Sequence, residues 1–347
     1  MAETVNFGLI GTGVGATFCA QGLSTIADTG KAKLIAVTSR REGRAREFAS
    51  KWKLDFWYTD YREMLEKAPI DAVIISTPHY LHYPMAIDSM KAGKHTLVDK
   101  PMAISVEETD GMINEAKKRG VKLGVILPSR FDPTYRKLKN AVEKGKFGRL
   151  ILGEAIVEWS RTQEYYDSSS WRGRWATEGG GALINQAIHM IDVLIWIMGS
   201  PKYLWAQIDT AAHKIEVEDI AVATIRFENG SLGVIQGSTA IYPGLPTRLE
   251  IHGTKGTAII EGGTLKRWSV IGEEEIKKEV EEDLGSWTRP ELTPAKNHAA
   301  LIKDFAEAVL EDREPFVDGA EGKRSIEIIM AIYRSGRSKE VVEFPLT

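Results

Sequence analysis

A glycine-rich turn between an apolar run and a helical pattern constrains the fold of this chain more than any other feature. The run Val5–Ile10 leads directly into Gly11-Thr12-Gly13-Val14-Gly15-Ala16. The first glycine permits a tight turn, the second lets a ligand approach the backbone, and the small Ala16 permits close packing of the helix on the strand. A helix that begins here also presents free N–H groups to a phosphate. The segment therefore predicts a strand, turn and helix that bind a dinucleotide.

Short apolar runs then alternate with amphipathic helical patterns as far as residue 127. The further runs predicted to be strands are 34–38, 72–76, 96–98 and 123–126, and the helical patterns between them include 41–51, 84–91 and 106–118. Apolar strands joined by helical crossovers are typical of a parallel sheet that is covered on both faces. The fold class is α/β, with an N-terminal doubly wound Rossmann domain predicted over residues 1–127.

From residue 128 the pattern changes to longer, partly alternating runs joined by short turns. Asn229-Gly230 has the chemistry of a tight hairpin, and Gly253 and Gly256 bound a second turn. These features predict an α/β domain over residues 128–347 with a large, open, mostly antiparallel sheet. Three helical patterns are predicted to cover one face of this sheet: 131–143, 181–196 and 297–309. The other face then needs a partner, so we expect a homo-oligomer, a dimer or a tetramer, formed through the C-terminal sheet.

Composition excludes several partners. The 347 residues include 45 basic and 48 acidic side chains, a net charge of −3, so the chain lacks the basic excess of a nucleic-acid binder. The one cysteine, Cys19, cannot form an intrachain disulfide, and the first residues do not have the pattern of a signal peptide. For these two reasons we expect a cytoplasmic protein. We expect no membrane partner, because polar residues interrupt the most apolar stretch, 182–198.

The end of the second predicted strand bears on the choice of nicotinamide cofactor. An acidic residue at this point would bind the adenosine ribose diol and repel a 2′-phosphate. The sequence instead has Ser39-Arg40-Arg41, a hydroxyl followed by two guanidinium groups that suit phosphate recognition. We therefore expect NADP(H), with NAD(H) as the alternative if Arg40 and Arg41 simply begin a solvated helix.

Two longer motifs resemble those of the Gfo/Idh/MocA oxidoreductases. They are Leu97-Val98-Asp99-Lys100-Pro101, placed after a parallel strand, and the segment 179–192, which begins with three glycines and includes Asn185, His189 and Asp192. The turn Thr77-Pro78-His79-Tyr80-Leu81-His82 adds to the resemblance. It implies a Rossmann domain followed by an α/β domain, and nicotinamide-dependent redox chemistry at a ring carbon of a sugar, sugar derivative or cyclitol.

The resemblance also implies catalytic roles. The family's catalytic lysine corresponds to Lys100, and the glutamate before it is Asp99 here. An ammonium at the edge of a parallel sheet can stabilise alkoxide character on the reacting oxygen. The family's proton-transfer histidine corresponds to His189, and Asn185 stands where most members have an aspartate. On a helix Asn185, His189 and Asp192 would share one face. Asp192 could support the imidazole, or could only cap a local hydrogen-bond network.

The turn after the third strand completes the expected cofactor site. The candidates for cofactor contacts beside the glycine turn are Thr77, Pro78, His82, Asp99 and Lys100. His82 is also expected to anchor the turn, and Pro78-His79 could contact the nicotinamide. His79 and His82 stand three residues apart, but no third ligand follows at a metal-binding spacing. We expect no metal.

Aromatic and arginine residues are concentrated between Trp159 and Trp175. Indole and phenol rings stack on sugar C–H surfaces, and arginines bind hydroxyls, carboxylates or phosphates. Arg161, Tyr165 and Arg172 are the candidates for substrate binding, with Asn185. The alternative is that these side chains belong to the core.

The main hypothesis is an NADP(H)-preferring dehydrogenase or reductase of a sugar or cyclitol. Two alternatives stay open. One is an enzyme that cleaves glycosides through transient oxidation and retains its cofactor. The other is a non-catalytic, cofactor-binding regulator, against which the joint presence of Lys100 and His189 argues.

Overall fold

A computed structural model describes residues 3–277 and 295–346. The chain divides into two compact units: Met1–Phe131 with Pro294–Lys323, and Asp132–Thr293 with Arg324–Thr347. The described part of the first unit has six strands: β1 Val5–Ile10, β2 Ala32–Thr38, β3 Phe56–Tyr58, β4 Ala72–Ile75, β5 His95–Asp99 and β6 Leu123–Ile126. Its first helices are α1 Val14–Thr25, α2 Glu42–Trp52, α3 Tyr61–Lys67, α4 His82–Lys91 and α5 Val106–Arg119.

The strands of the first unit form one parallel sheet in the order β3-β2-β1-β4-β5-β6. This is the order of a Rossmann fold, in which ligands bind beyond the carboxyl ends of the strands. Every residue of β4 and β6 is buried, because helices cover both faces of the sheet. The predicted Rossmann domain is confirmed.

The second unit is built around one larger sheet. Its strands are β7 Leu150–Glu158, β8 Pro201–Asp209, β9 Ile220–Phe227, β10 Leu232–Ser238, β11 Arg248–Gly253, β12 Gly256–Glu261, β13 Thr264–Val270, β14 Ile276–Lys277 and β15 Val342–Glu343. Its helices are α6 Pro133–Glu143, α7 Gln163–Asp167, α8 Trp175–Glu178 and α9 Ile188–Met198, and a π-helix spans Ala182–Ala187. Along the chain there follow α10 Lys296–Leu310 and α11 Gly319–Ser338.

Among the residues that the structure describes, the second sheet has nine strands, in the order β14-β13-β12-β11-β7-β10-β9-β8-β15. All neighbours are antiparallel except β7 and β10. The turn at Asn229-Gly230 joins β9 to β10, and Gly230 has a φ of +83°, which glycine adopts readily. The predicted open, mostly antiparallel sheet is confirmed.

One face of the second sheet packs against the helical segments of its own unit. A Cβ at Gly153 of β7 would lie 2.9 Å from a methyl of Leu194 of α9, and one at Gly237 of β10 would lie 2.6 Å from Leu183. Outward residues on the opposite face keep substantial exposure: 39% for Trp205, 42% for Val222 and 47% for Leu232. The alternation of buried and exposed residues in β9 follows from this two-sided environment.

The C-terminal part of the chain differs from the prediction. The pattern at 297–309 was expected to cover the second sheet, but it lies in α10, which packs within the first unit. The ring of Phe305 lies 6.2 Å from that of Phe7 in β1, and a Cβ at Gly22 of α1 would lie 3.1 Å from the Ala299 nitrogen. The first unit therefore extends beyond the predicted range 1–127, because α10 completes its core.

One helical stretch of the described residues, Trp175–Met198, is long and apolar enough to cross a membrane when only its length and composition are considered. Most of it is buried inside the second unit. A buried core helix meets the same criteria.

Candidate functional site

The glycine turn is shaped by the strand ends around it. Gly11 has a φ of +118°, and a Cβ at this position would clash with the Ser76 carbonyl oxygen. A Cβ at Gly15 would collide with the side chains of Ser76 and Asp99. Gly13, in contrast, has extended backbone with a φ of −81°, and a Cβ there would meet nothing within 4 Å.

The exposed backbone of the glycine turn suits the binding of a dinucleotide pyrophosphate. Gly13 and Val14 are exposed, and Val14 keeps 62% of its surface accessible although it is apolar. The free N–H groups at the start of α1 favour an anion at this point. The open space over Gly13 therefore lies where a bound diphosphate is expected, and the N–H groups beside it suit the negative charge of a diphosphate.

The two glycines predict opposite consequences for substitution by alanine. Gly13→Ala is expected to keep the wild-type melting temperature and to weaken dinucleotide binding by at least ~10-fold, because the methyl group occupies the space of the pyrophosphate. Gly11→Ala is expected to lower the free energy of unfolding by at least ~2 kcal/mol, because it adds a clash to a left-handed backbone. Calorimetric titration and denaturant unfolding measure the two effects. Unchanged dinucleotide affinity in Gly13→Ala would contradict the assignment of this turn.

The carboxyl ends of β4 and β5 lie next to the glycine turn. The hydroxyl of Ser76 donates to Asp99 Oδ2 at 2.7 Å, and the backbone N–H of Lys100 donates to Asp99 Oδ1 at 2.9 Å. Asp99 and Lys100 are both half-buried, and the Lys100–Pro101 peptide is cis. Lys100 thus follows a parallel strand at its carboxyl end, where a Rossmann fold binds ligands.

His82 anchors its turn, which is one of the two roles that the sequence predicts for it. It is buried, and its Nδ1 lies 2.7 Å from the Pro101 carbonyl oxygen while its Nε2 lies 2.9 Å from that of Thr77. Burial lowers the pKa of His82. The imidazole thereby joins the turn after β4 to the loop after β5. Thr77 and Pro78 remain half-buried at the turn.

The end of β2 has no carboxylate, as the sequence indicates. The Thr12 hydroxyl of the glycine turn lies 3.4 Å from the Ser39 hydroxyl, so Ser39 is adjacent to the turn. Arg40 and Arg41 are exposed, and Arg41 is the residue that precedes α2. These residues are accessible at the position where an adenosine ribose is bound in Rossmann folds.

In the second unit, buried neighbours require glycine at two of the three glycine positions before the π-helix. A Cβ at Gly180 would collide with the Tyr333 hydroxyl, and one at Gly181 would collide with the Glu218 carbonyl oxygen. The Glu218 carboxylate accepts hydrogen bonds from the Gly181 and Leu183 nitrogens at 2.8 and 2.9 Å, and from the Tyr333 hydroxyl at 2.8 Å. Burial raises the pKa of Glu218 to about 7. Glu218 and Tyr333 thereby fix the start of the segment that carries His189.

Asn185 and His189 are half-buried in a stretch that is otherwise mostly buried, whereas Asp192 is fully buried. The expectation that all three share one face of a regular α-helix is wrong in one respect, since Asn185 lies in the π-helix and only His189 and Asp192 lie in α9. The wider π-turn changes the angular spacing between residue 185 and the others. A π-turn of this kind is frequent at functional sites.

The residues chosen for substrate binding come together around Tyr165. The Arg172 guanidinium lies 4.2 Å from the centre of the Tyr165 ring, and that of Arg161 lies 5.5 Å from it. The Tyr165 hydroxyl accepts from Gln186 Nε2 at 2.9 Å and lies 3.4 Å from Asn185 Nδ2. Arg161, Tyr165 and Asn185 are all half-buried. The cluster therefore joins the arginines to the segment that carries His189.

Several polar residues of this region were not identified from the sequence. Glu178 is buried, and its Oε1 accepts from Asn185 Nδ2 at 2.5 Å, so a carboxylate lies beside the position where the resemblance implies an aspartate. The His213 imidazole links Asp219 to the Arg161 carbonyl oxygen, at 2.8 and 2.9 Å. The contact between His213 and Arg161 joins residues 52 positions apart, and no local motif marks any of these contacts.

A cavity of about 490 Å³ in the second unit is bordered by part of this region. Its lining includes Tyr166, Arg172, Arg174, Lys214 and Glu216. Three of the ten lining residues are cationic and two, Asp167 and Glu216, are acidic. Arg172 therefore both lines this cavity and packs on the Tyr165 ring.

One group of potential metal ligands occurs among the described residues, at a place the sequence did not indicate. Ligand atoms of Glu154, Glu250 and His252 lie within 4.8 Å of one another on the second sheet. Glu154 and Glu250 are register partners on β7 and β11. Only strand pairing brings them together, so no sequence motif reports the group.

Comparison with known proteins gives the class of the chain. The family described as "Oxidoreductase family, NAD-binding Rossmann fold" matches residues 5–127, and the one described as "GFO/IDH/MocA C-terminal domain" matches residues 135–259. The chain is thus an NAD-binding oxidoreductase whose second domain is of the GFO/IDH/MocA C-terminal type. It belongs to the Gfo/Idh/MocA family.

Relatives match along nearly the whole chain. Myo-inositol 2-dehydrogenase of Thermotoga maritima is 29% identical over 98% of each protein. The solved structure of the WlbA dehydrogenase from Bordetella pertussis in complex with NADH and UDP-GlcNAcA is 30% identical, with a TM-score of 0.88 over 99% of this chain and 100% of that one. Levoglucosan dehydrogenase in complex with NADH and levoglucosan has the same TM-score, 0.88, at 22% identity over 99% of this chain and 100% of that one, which shows the shared fold.

Proposed function

We propose that this protein is an NADP(H)-preferring dehydrogenase or reductase of a pyranose sugar, sugar derivative or cyclitol. The observation that carries the proposal is that one chain has both a segment suited to binding a dinucleotide and a segment suited to binding a polar substrate. One is Asp99-Lys100 beside a glycine turn open over Gly13. The other is the Asn185–His189 segment beside the Tyr165 cluster. Relatives named as inositol dehydrogenases support the substrate class.

Each proposed catalytic residue has a distinct task. Bound at the glycine turn, with contacts from Thr12, Ser39, Thr77, Pro78 and Asp99, a nicotinamide dinucleotide would supply hydride transfer. The Lys100 ammonium donates a hydrogen bond to the reacting oxygen and stabilises its negative charge. The His189 imidazole accepts the hydroxyl proton in oxidation and returns it in reduction, and Asp192 supports it.

The Tyr165 cluster binds the rest of the substrate in this proposal. Arg161 and Arg172 donate hydrogen bonds to hydroxyls or to an anionic substituent, and Tyr165 offers a ring face and a hydroxyl. Asn185 accepts a hydrogen bond from a substrate hydroxyl near His189. A compact, polar ring compound satisfies all of these groups.

Cofactor preference provides a test at Arg40. Arg40→Asp is expected to reduce the ratio of kcat/KM for NADP to that for NAD by about 10- to 100-fold, because it replaces a charge-assisted phosphate contact by a repulsive carboxylate. Arg44→Asp makes the same change of charge at another exposed position of α2 and is the control. A wild-type enzyme that favours NAD, or an unchanged ratio in Arg40→Asp, would contradict the preference for NADP.

The proposed activity is tested by incubating the wild-type chain with NADP⁺ or NAD⁺ and a panel of cyclitols, aldoses and anhydrosugars. The expected result is an increase in the absorbance of the reduced nicotinamide with at least one compound. Glycoside cleavage with a retained cofactor and no net absorbance change would instead identify the first alternative. Dinucleotide binding without turnover of any compound would identify a regulator.

We further propose a cytoplasmic homo-oligomer that forms through the open face of the second sheet. Trp205, Val222 and Leu232 supply apolar surface on adjacent strands of that face. A monomer in analytical ultracentrifugation, or recovery from cell fractions outside the cytoplasm, would contradict this proposal.

A further inference from the structure

A buried carboxylate contacts the side chain of Asn185. Glu178 is only 1% exposed, and its Oε1 accepts a hydrogen bond from Asn185 Nδ2 at 2.5 Å. Its other oxygen, Oε2, accepts from the Gly173 backbone N–H at 2.5 Å. Glu178 therefore touches a residue of the proposed substrate site while the carboxylate itself is closed to solvent.

The backbone between the two residues holds this contact in place. Glu178 ends α8, and the chain then turns through Gly179, which has a φ of +83°. Gly180 and Gly181 follow, packed so closely on Tyr333 and Glu218 that neither has room for a Cβ. A segment fixed from both sides leaves Glu178 and Asn185 little freedom to separate.

The chemistry of the pair determines how the Asn185 amide is turned. A carboxylate accepts hydrogen bonds and does not donate them, so Asn185 must present its NH₂ group to Glu178. The same Nδ2 lies 3.4 Å from the Tyr165 hydroxyl, which gives its second hydrogen an acceptor. A rotation of the amide would place Oδ1 against the carboxylate, with two acceptors in contact. Oδ1 is consequently directed away from Glu178.

We propose that Glu178 is a positioning residue that fixes the amide of Asn185 so that Oδ1 receives a hydrogen bond from a substrate hydroxyl. The inference rests on the proposed function of this site and specifies it further. The site selects a substrate with a donating hydroxyl at this point, and Glu178 never touches the substrate. Without the carboxylate, the amide can present its NH₂ group instead.

A swap of the two side chains tests the proposal. In Glu178→Gln, the new amide cannot accept from both Gly173 and Asn185, because one end of it is a donor. We expect kcat/KM for the sugar to fall about 10-fold, mainly through KM. In Asn185→Asp, two carboxylates are in contact, so kcat/KM is expected to fall progressively as the pH rises, unlike that of the wild type.

The double variant Glu178→Gln/Asn185→Asp restores complementarity. The amide introduced at position 178 accepts from Gly173 and donates to the carboxylate introduced at position 185, which again offers an oxygen to the substrate. We expect kcat/KM to recover to within about fivefold of the wild type, with the pH dependence removed. Glu164→Gln, at an exposed carboxylate nearby, is the control for loss of charge.

The outcomes separate this inference from the proposed function. Myo-inositol with NADP⁺ is the first probe, with turnover, calorimetric sugar binding and melting temperature measured for all variants. Turnover by the wild type with no loss in Glu178→Gln, or with losses that add in the double variant, would overturn the positioning role alone. A wild-type chain that neither binds nor turns over any sugar of the panel would overturn both proposals.

Discussion

Lys100→Met is expected to reduce kcat by about 10²- to 10³-fold while the protein keeps its fold and still binds the dinucleotide. Methionine has a similar length and lacks the ammonium, so the variant removes the donor that stabilises charge on the reacting oxygen. The Lys100 contact with Asp99 is made by the backbone N–H and is not altered by the substitution. Steady-state kinetics and calorimetric titration with NADP⁺ separate the loss of kcat from any change in binding.

Lys91→Met is the matched control, because Lys91 is an exposed lysine at the end of α4 in the same unit. It is expected to retain wild-type kcat. A Lys100→Met variant with kcat near that of the wild type would show that the ammonium takes no part in the reaction.

His189→Ala is expected to reduce kcat by about 10²- to 10⁴-fold, the range for loss of a general acid or base. Imidazole ordinarily titrates near neutrality. In oxidation, the wild-type rate should therefore fall at acidic pH as the base becomes protonated, and this acidic limb should disappear in the variant. The pH profile of kcat/KM measures both effects.

His189→Gln and added imidazole distinguish proton transfer from a structural role. Glutamine preserves much of the volume of histidine but does not exchange protons near neutral pH, so it is expected to be as inactive as alanine. Free imidazole should restore part of the activity of His189→Ala. An active His189→Gln variant would mean that the side chain only fills space or donates a hydrogen bond.

The first half of the fold follows from local sequence patterns. The runs at 72–76 and 123–126 correspond to β4 and β6, because a strand buried on both faces has a continuous apolar sequence. β3, only three residues long, has no period that a pattern could reveal. The helix at 297–309 was predicted, but periodicity shows that a helix buries one face and not which sheet covers it.

The same limit applies to the candidate site. The glycine turn and Asp99-Lys100 are recognisable because their chemistry depends on consecutive residues next to a strand. Glu218, however, is 37 residues from Gly181 and 115 from Tyr333, and only the folded chain joins them. Glu178 lies within seven residues of Asn185 and was still missed, because its partner is reached through a glycine turn whose path the sequence does not specify.

Transfer of deuterium tests the central proposal most directly. A cyclitol or sugar of the panel that the wild-type chain oxidises, labelled with deuterium at the reacting carbon, is incubated with NADP⁺, and the product is analysed by mass spectrometry and NMR. One deuterium at C4 of the reduced nicotinamide, formed rapidly by the wild type and at least ~100-fold more slowly by Lys100→Met and His189→Ala, is the predicted result. Reduced cofactor without deuterium, or equal rates of transfer in all three proteins, would contradict it.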